Sequence, residues 1–480
     1  MPDMLDLFRR TAATVPAYQD FLRSHGVDPD SVRALADIPL MTKENYHTRY
    51  PLPRRCRDGR LAAADTIAVS SGSTGKPTYW PRTAADEQAA TARFEQIFRH
   101  SFGAADKATL AVICFPLGTW VGGLYTTSCC QHLAGRGYPI TVVAAGNDKA
   151  EILRVVPELA PAFDQTVLLG YPPFLKDVID TGLASGVDWT PMRIKLVMAG
   201  EVFSEDWRDL VGSRAGMTRP AHDSAALYGT ADAGVLGCET PLTITIRRFL
   251  ASDPDLAQVL TGQRRLPTLV QYDPADRYFE ALDDGTLAFS ADGGVPLVRY
   301  HIADEGGVLG YEQLLSFCAD HGLDLGADAD LVAGSPALPF VYVFGRTRFA
   351  VSFFGANVYP ENIAAGLEQP RVSGWVTGKF VLEVAEDADR NRHLAVAVEL
   401  APGEEPGHDN TSQDNTGRTE LAADAILGQL LLLNSEFAHY VPAAYQQPVV
   451  TLLPAGDPDY FPRGVKHRYT RQPADQQPAH

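Results

Sequence analysis

Residues 70–78 read SSGSTGKPT, the stretch of the chain richest in anion-binding chemistry. The hydroxyls of Ser70, Ser71, Ser73 and Thr74 are donors. Gly72 and Gly75 permit backbone turns that aim successive N–H groups at one point. Lys76 adds a mobile positive charge, so the loop suits a polyphosphate. It is not a Walker A loop, which needs four residues before its Gly-Lys pair; here only Ser73 and Thr74 separate Gly72 from Gly75. The plainer alternative is a polar surface loop, and the rest of the chain must decide.

Such a loop needs a rigid frame. It follows an apolar run, Ile67, Ala68 and Val69, and short apolar runs at 109–115, 166–170, 194–200 and 268–272 predict buried strands. Helical patterns lie between several of them, which predicts an α/β architecture with helices covering the sheets. Thr83 and Asp86 make a capping-box pattern, opening a helix whose Phe94, Ile97 and Phe98 face inward. Met4, Phe8, Val15, Tyr18 and Leu22 recur at helical spacing, with an interruption near Pro16. Further strands are expected at 286–290, before the 296–304 segment, and at 340–344. Gly345-Arg346-Thr347 then reads as a boundary between a large N-terminal domain, 1–346, and a small C-terminal α+β domain, 347–480. The small domain is expected to hold strands at 379–384 and 392–400 and a helix at 421–438. The polar stretch 402–420 reads as a mobile insertion and the last residues as a frayed tail.

With 480 residues the chain is long enough for at least two domains, and its 45% hydrophobic and 21% charged residues are ordinary for a globular enzyme. A formal net charge of −18 disfavours nucleic acid as a partner, and it means that an anionic ligand must be met by locally placed cations. No apolar run approaches a membrane span, and the first residues lack the layout of a signal peptide. Six cysteines without metal-ligand spacing predict reduced thiols in a cytoplasmic protein, with the adjacent Cys129 and Cys130 filling core.

Further segments follow the loop in a telling order. They are Ala199-Gly200-Glu201, Tyr228-Gly229-Thr230-Ala231-Asp232, Arg299-Tyr300-His301-Ile302-Ala303-Asp304, Gly345-Arg346, Gly355-Ala356-Asn357-Val358-Tyr359-Pro360, and a basic segment containing Lys466. This order resembles the adenylate-forming superfamily of acyl- and aryl-CoA synthetases. Leu35-Ala36-Asp37-Ile38-Pro39 with Thr42-Lys43 is similar to the N-terminal pattern of its phenylacetate–CoA ligase branch. The resemblance spans nearly the whole chain and is least specific from 240 to 285.

The resemblance implies that fold, with a mobile C-terminal domain, and two half-reactions. A carboxylate attacks the α-phosphate of ATP to give an acyl-adenylate and pyrophosphate; a thiol, usually coenzyme A, then displaces AMP. The cofactors implied are ATP, Mg²⁺ and coenzyme A, and the partners are a small carboxylic acid and ATP. Asp304 would accept bonds from the ribose hydroxyls, against the alternative of a surface acid. Tyr228, otherwise a core tyrosine, would lay its ring on adenine. Ser70 to Lys76, Gly200, Glu201, Gly229, Thr230 and Arg346 would complete the nucleotide site. Asp232 stands where the family usually has a glutamate beside the magnesium. It is a hard oxygen ligand with about 1.5 Å less reach, or else a helix cap. Lys466 would be the catalytic cation over the α-phosphate, against the alternative of a solvated basic tail. Arg348 replaces the family's acidic or lysine hinge residue, and His301 reads as structural. Trp120, Gly123, Tyr125 and Tyr171 resemble the family's acyl pocket, which suits an aromatic or similarly compact acid, though aromatic residues after strands are also ordinary core. Two alternatives stay open. One is transfer to a non-CoA acceptor such as a carrier-protein thiol or an amine; the other is a non-catalytic nucleotide-binding protein.

Overall fold

The computed structural model describes residues 4–70, 78–119, 121–200, 202–325, 331, 336–346, 351–353, 356–386, 392–405, 413–434, 437–438, 441, 443–462 and 467–470. The strands, in chain order, are β1 Thr66–Ser70, β2 Thr78–Arg82, β3 Thr109–Ile113, β4 Ile140–Val143, β5 Gln165–Gly170, β6 Ile194–Ala199, β7 Ser224–Thr230, β8 Gly234–Cys238 and β9 Thr268–Gln271. There follow β10 Arg277–Ala281, β11 Thr286–Ala291, β12 Leu297–Leu309, β13 Phe340–Arg346, β14 Val351–Phe353, β15 Ala356–Val358, β16 Val376–Glu386, β17 Arg392–Leu400 and β18 Val449–Leu453.

Among the described residues one mixed sheet of eleven strands dominates, in the order β10-β11-β12-β13-β9-β8-β7-β6-β5-β3-β4. From β4 to β7 neighbouring strands are parallel; from β7 to β10 they are antiparallel. The parallel strands are apolar runs because both faces are covered. Helices Ala84–Gln96 and Val121–Gly135 pack on one face through Phe94, Cys129, Cys130 and Leu133, and helices Lys149–Leu159, Pro172–Ala184 and Glu205–Arg214 cover the other. The expected α/β architecture is therefore found. All six cysteines are buried thiols. Among the described residues no helix is long and apolar enough to cross a membrane.

The N-terminal pattern folds as two helices, Met4–Thr14 and Pro16–Ser24, broken at the expected proline, with Phe8, Val15, Tyr18 and Leu22 buried. The Leu35–Pro39 stretch is tied to β12. Arg299 donates to the Ile38 carbonyl at 2.6 Å, the Met41 N–H donates to the Arg299 carbonyl, and the His301 N–H donates to the Met41 carbonyl. The Thr83 capping box is present, Asp86 accepting from the Thr83 N–H at 2.7 Å.

One stretch for which no element was expected, 241–252, rich in Thr and Ile, forms a helix, Pro241–Ser252. Thr240 caps it, and Leu242, Ile246 and Leu250 share its buried face. The helix expected over 421–438 instead runs Gln413–Leu433, so the polar stretch 402–420 ends inside it. Its apolar face, with Ala422, Ile426 and Leu430, packs among Ile363, Leu367 and the strands β16–β18. That burial outweighs the weak helix propensity of its first turns.

Candidate functional site

Open parallel sheets bind ligands where the strands' carboxyl ends leave a crevice, and here those ends open on a cavity of about 930 Å³. Phe115 and Pro116 after β3, Tyr171 after β5, Gly200 after β6, and Gly229, Thr230 and Ala231 at the end of β7 line it. Its inner end is apolar, with Phe94, Tyr125, Leu227 and Val235. The outer end carries two ion pairs, Lys149–Asp177 and Lys379–Glu399, each at 3.0 Å. Phe461, Pro462 and His467 also line the cavity and bracket the segment containing Lys466. Burial pushes the His467 imidazole down to about 4, and its Nε2 pairs with the Phe380 carbonyl at 2.7 Å, so the ring is neutral near pH 7.

The predicted phosphate segment, Ser71 to Lys76, lies outside the described residues, as do Trp120, Glu201, Arg348 and Lys466; the side chains of Ser70 and Arg346 do too. The frame of the phosphate segment is described. β1 and β2 pair antiparallel and close the hairpin at Ser70 opposite Thr78, and Val69 lines the cavity.

Gly200 sits at φ +84, where only glycine is at ease, and a Cβ there would lie 2.8 Å from the Tyr171 ring. Tyr171 in turn stands edge-on to Phe115 at 5.0 Å. Tyr125 lines the cavity while donating its hydroxyl to the Asp86 carbonyl at 3.2 Å. Gly122 lines the cavity, and Gly123 packs behind it, where a Cβ would lie 2.2 Å from the Pro116 carbonyl.

The structure brings Tyr228 and Asp304 together: the Tyr228 hydroxyl donates to Asp304 Oδ2 at 2.6 Å. Asp304 is buried on β12 just after Ala303, whose φ of 60 marks a bulge in the strand, and it pairs in register with Arg346 of β13. Asp232 lies in the turn between β7 and β8, where Thr230 Oγ1 accepts from the Ala233 N–H at 3.1 Å. The Tyr300 hydroxyl donates to Asp232 Oδ2 at 2.6 Å. Arg82, buried at the end of β2, donates to the carbonyls of Ala231 and Asp232 at 2.5 and 3.1 Å. His301 pairs with the Thr286 hydroxyl at 2.8 Å.

Sequence reasoning missed Arg82 as a clamp on the Asp232 turn, Tyr300 as its carboxylate's partner, and the two ion pairs at the cavity's outer end. Tyr300 lay within a quoted motif. Nothing in the sequence distinguished Arg82 from an ordinary surface cation. Among the described residues no group of three or more His, Cys, Asp or Glu side chains could hold a metal ion. Magnesium with a nucleotide does not need one, because it keeps water and phosphate ligands and takes one or two carboxylates. Asp232 fits that requirement.

No family model matches the chain. A curated relative, the phenylacetate–coenzyme A ligase of Aromatoleum evansii, is 24% identical over 228 residues, which cover 47% of this chain and 48% of that protein. The chain thus matches about half the length of that relative. Among solved structures, 2-hydroxyisobutyryl-CoA ligase in the postadenylation state with R3-HIB-AMP is similar with a TM-score of 0.67 and 14% identity, over 98% of this chain and 89% of that one. The same ligase with 2-HIB-AMP and CoA in the thioesterification state gives a TM-score of 0.52 at 16% identity, over 98% and 88%. The chain has the fold of the adenylate-forming CoA ligases, and its sequence likeness lies with their phenylacetate–CoA ligase branch.

Proposed function

We propose that the protein activates a carboxylic acid with ATP and passes the acyl group to a thiol, coenzyme A being the acceptor and the acid aromatic or similarly compact. A carboxylate oxygen bonds to the α-phosphorus and pyrophosphate leaves; the thiolate sulfur then bonds to the acyl carbon and AMP leaves. The observation that carries this reading is the cavity at the carboxyl ends of β3, β5, β6 and β7, which joins an apolar inner end to glycine-lined strand ends. The acyl group takes the inner end among Phe94, Tyr125 and Val235, with Tyr171 at its mouth, and Gly200, a nucleotide residue, backs the Tyr171 ring where the two sites meet.

The nucleotide lies along the β7–β8 turn, its ribose on Asp304, its adenine against Tyr228, and its phosphates on Ser70 to Lys76. Arg346 and Glu201 border this site. Magnesium, when bound with ATP, offsets phosphate charge, and Asp232 is the residue that would hold it. We assign residues 1–346 to this nucleotide- and acyl-binding domain and 347–480 to a small domain. Strands β16–β18 and the core around Ile363, Phe380 and Leu430 form that small domain's body. It carries Lys466, whose flanking residues line the cavity. From there a lysine stabilises the charge that develops between carboxylate and α-phosphate.

ATP–pyrophosphate exchange over a panel of carboxylic acids tests the reading. Exchange with aryl or arylacetic acids, followed by thioester formation on adding coenzyme A, is the expected result. ATP binding without exchange on any acid would overturn it; exchange without thioester would overturn the acceptor alone.

A further inference from the structure

Asp232 is held both at its backbone and at its carboxylate. Arg82 fixes the carbonyls of Ala231 and Asp232, and the Tyr300 hydroxyl binds Oδ2. Tyr300 is itself fully buried on β12. Its ring stands edge-on to Phe289 at 5.6 Å and to His47 at 5.1 Å. His47, also buried, is wedged between Tyr300 and Trp80, a β2 residue on the strand that leaves the phosphate segment, at 4.7 Å. Arg55, buried in turn, faces His47 Nδ1. An arginine can only donate, so Nδ1 accepts and the imidazole is neutral, with its proton on Nε2. Burial pushes the Arg55 guanidinium below its ordinary pKa, against smaller opposing contributions from Tyr46, Cys56, Tyr300 and Asp232. The three side chains thus form a packed column, Arg55–His47–Tyr300, that ends on one oxygen of Asp232.

We propose that Tyr300 is a positioning residue for Asp232: supported by His47 and Arg55, its hydroxyl holds Oδ2 and so sets the plane of the carboxylate that would hold the magnesium of a nucleotide. The inference rests on the reading of Asp232 as the metal residue. A hydroxyl fixed on Oδ2 removes the rotation by which a short carboxylate would otherwise miss its target. The column thereby fixes the direction of a carboxylate that is one methylene shorter than glutamate. Partners that orient a metal ligand typically matter by about 10- to 100-fold in metal affinity.

The test is Tyr300→Phe, which removes only the hydroxyl. Mn²⁺ binding is titrated by its paramagnetic resonance in the presence of ATP and without any acid, so that no turnover occurs. The Mn²⁺ affinity is expected to fall about tenfold or more, while ATP binding without metal stays the same. In an Asp232→Glu background, where the longer side chain reaches unaided, the same change should cost less, a non-additivity that a merely structural tyrosine would not give. Overlaid Mn²⁺ titrations of wild type and Tyr300→Phe, with Asp232→Asn still weakened, would overturn the positioning role. If Asp232→Asn overlays as well, the metal reading of Asp232 is what fails. Should Tyr300→Phe not fold, Arg55→Lys loosens the column from its other end and must shift the Mn²⁺ affinity in the same direction; no shift would overturn the proposal.

Discussion

From β4 to β7 the strands of the large sheet run parallel and regular, and their carboxyl ends give way to small or aromatic residues: Phe115, Gly170 with Tyr171, and Gly200. From β8 to β13 the strands are antiparallel and β12 is irregular. Its register slips between Phe289 and Ala291 of its neighbour and again between Glu305 and Gly306, and Arg299 and Ala303 take positive φ of 47 and 60. The first half makes space. The second half aims polar groups, because each slip turns a side chain that a regular strand would send elsewhere. Tyr300 and Asp304 lie on that irregular strand and reach Asp232, in the turn between the halves, and Tyr228 on β7. Space and charge are thus supplied by separate elements that meet at β7.

The largest expected effect comes from outside both halves. Lys466→Ala should lower the adenylation rate by about 10² to 10³, as loss of a preorganised donor does. Thioester formation from supplied acyl-adenylate should persist, because the displacement of AMP does not need that cation at the α-phosphate. Stopped-flow measurement of the two half-reactions separately checks this; equal losses would mean that Lys466 acts through folding or docking.

Asp304→Ala comes next and isolates the irregular half. Losing a charge-assisted hydrogen bond costs about 1.5–3 kcal/mol, so kcat/KM for ATP should fall by about one to two decades while the KM for the acid barely moves. An equal change in both constants would break the division of labour between the halves.

The two halves also differ in how legible they were. β3, β5 and β6 showed in the sequence because burial on both faces forces continuous apolar runs, whereas β4 and β7 did not show, and the glycine at 200 marks a position that no other residue occupies without strain. In the irregular half the apolar runs of β9, β11 and β13 were legible, but its polar groups only as a motif. Arg299, Tyr300 and Asp304 could be quoted, but a bulge is set by register with neighbouring strands, and the Tyr300–Asp232 bond spans 68 positions of sequence. The helix Pro241–Ser252 was hidden for a different reason. Its Thr and Ile residues favour strands locally, and only the buried Leu242, Ile246 and Leu250 face overrides them.

Gly200→Ala probes the regular half with a smaller effect. The positive φ costs a non-glycine residue about 1–2 kcal/mol, and the added methyl must displace the Tyr171 ring. Thermal unfolding should show the loss of stability, and, through the displaced Tyr171 ring, the KM for the acid should rise more than the KM for ATP. That is the reverse of the order expected for Asp304→Ala. A Gly200→Ala protein that is impaired toward ATP alone would undo the comparison.

The smallest effect concerns how the region around β16–β18 is fastened to the parallel half. Lys176 donates to the Val376 carbonyl at 3.1 Å, Arg214 donates to the Ser373 carbonyl at 3.3 Å, and Ser204, the cap of helix Glu205–Arg214, bonds Glu368. Burial pushes the Glu368 carboxyl up to about 8 from an ordinary 4.5, whereas His467 is pushed down to about 4 from 6.5. The signs differ. Folded Glu368 keeps a proton that the unfolded chain has lost, so its contribution falls as pH rises from about 4.5 to about 8. Folded His467 refuses a proton that the unfolded chain accepts, so its contribution is lost as pH falls from about 6.5 to about 4. Between 4.5 and 6.5 the two slopes oppose each other, and above 6.5 only Glu368 acts. Urea unfolding midpoints should therefore change little across the lower window and drop from pH 6.5 to 8, and Glu368→Gln, which cannot ionise, should flatten the drop. A drop that survives in Glu368→Gln would assign the upper slope to another group and leave the Ser204–Glu368 contact without a part in the pH dependence.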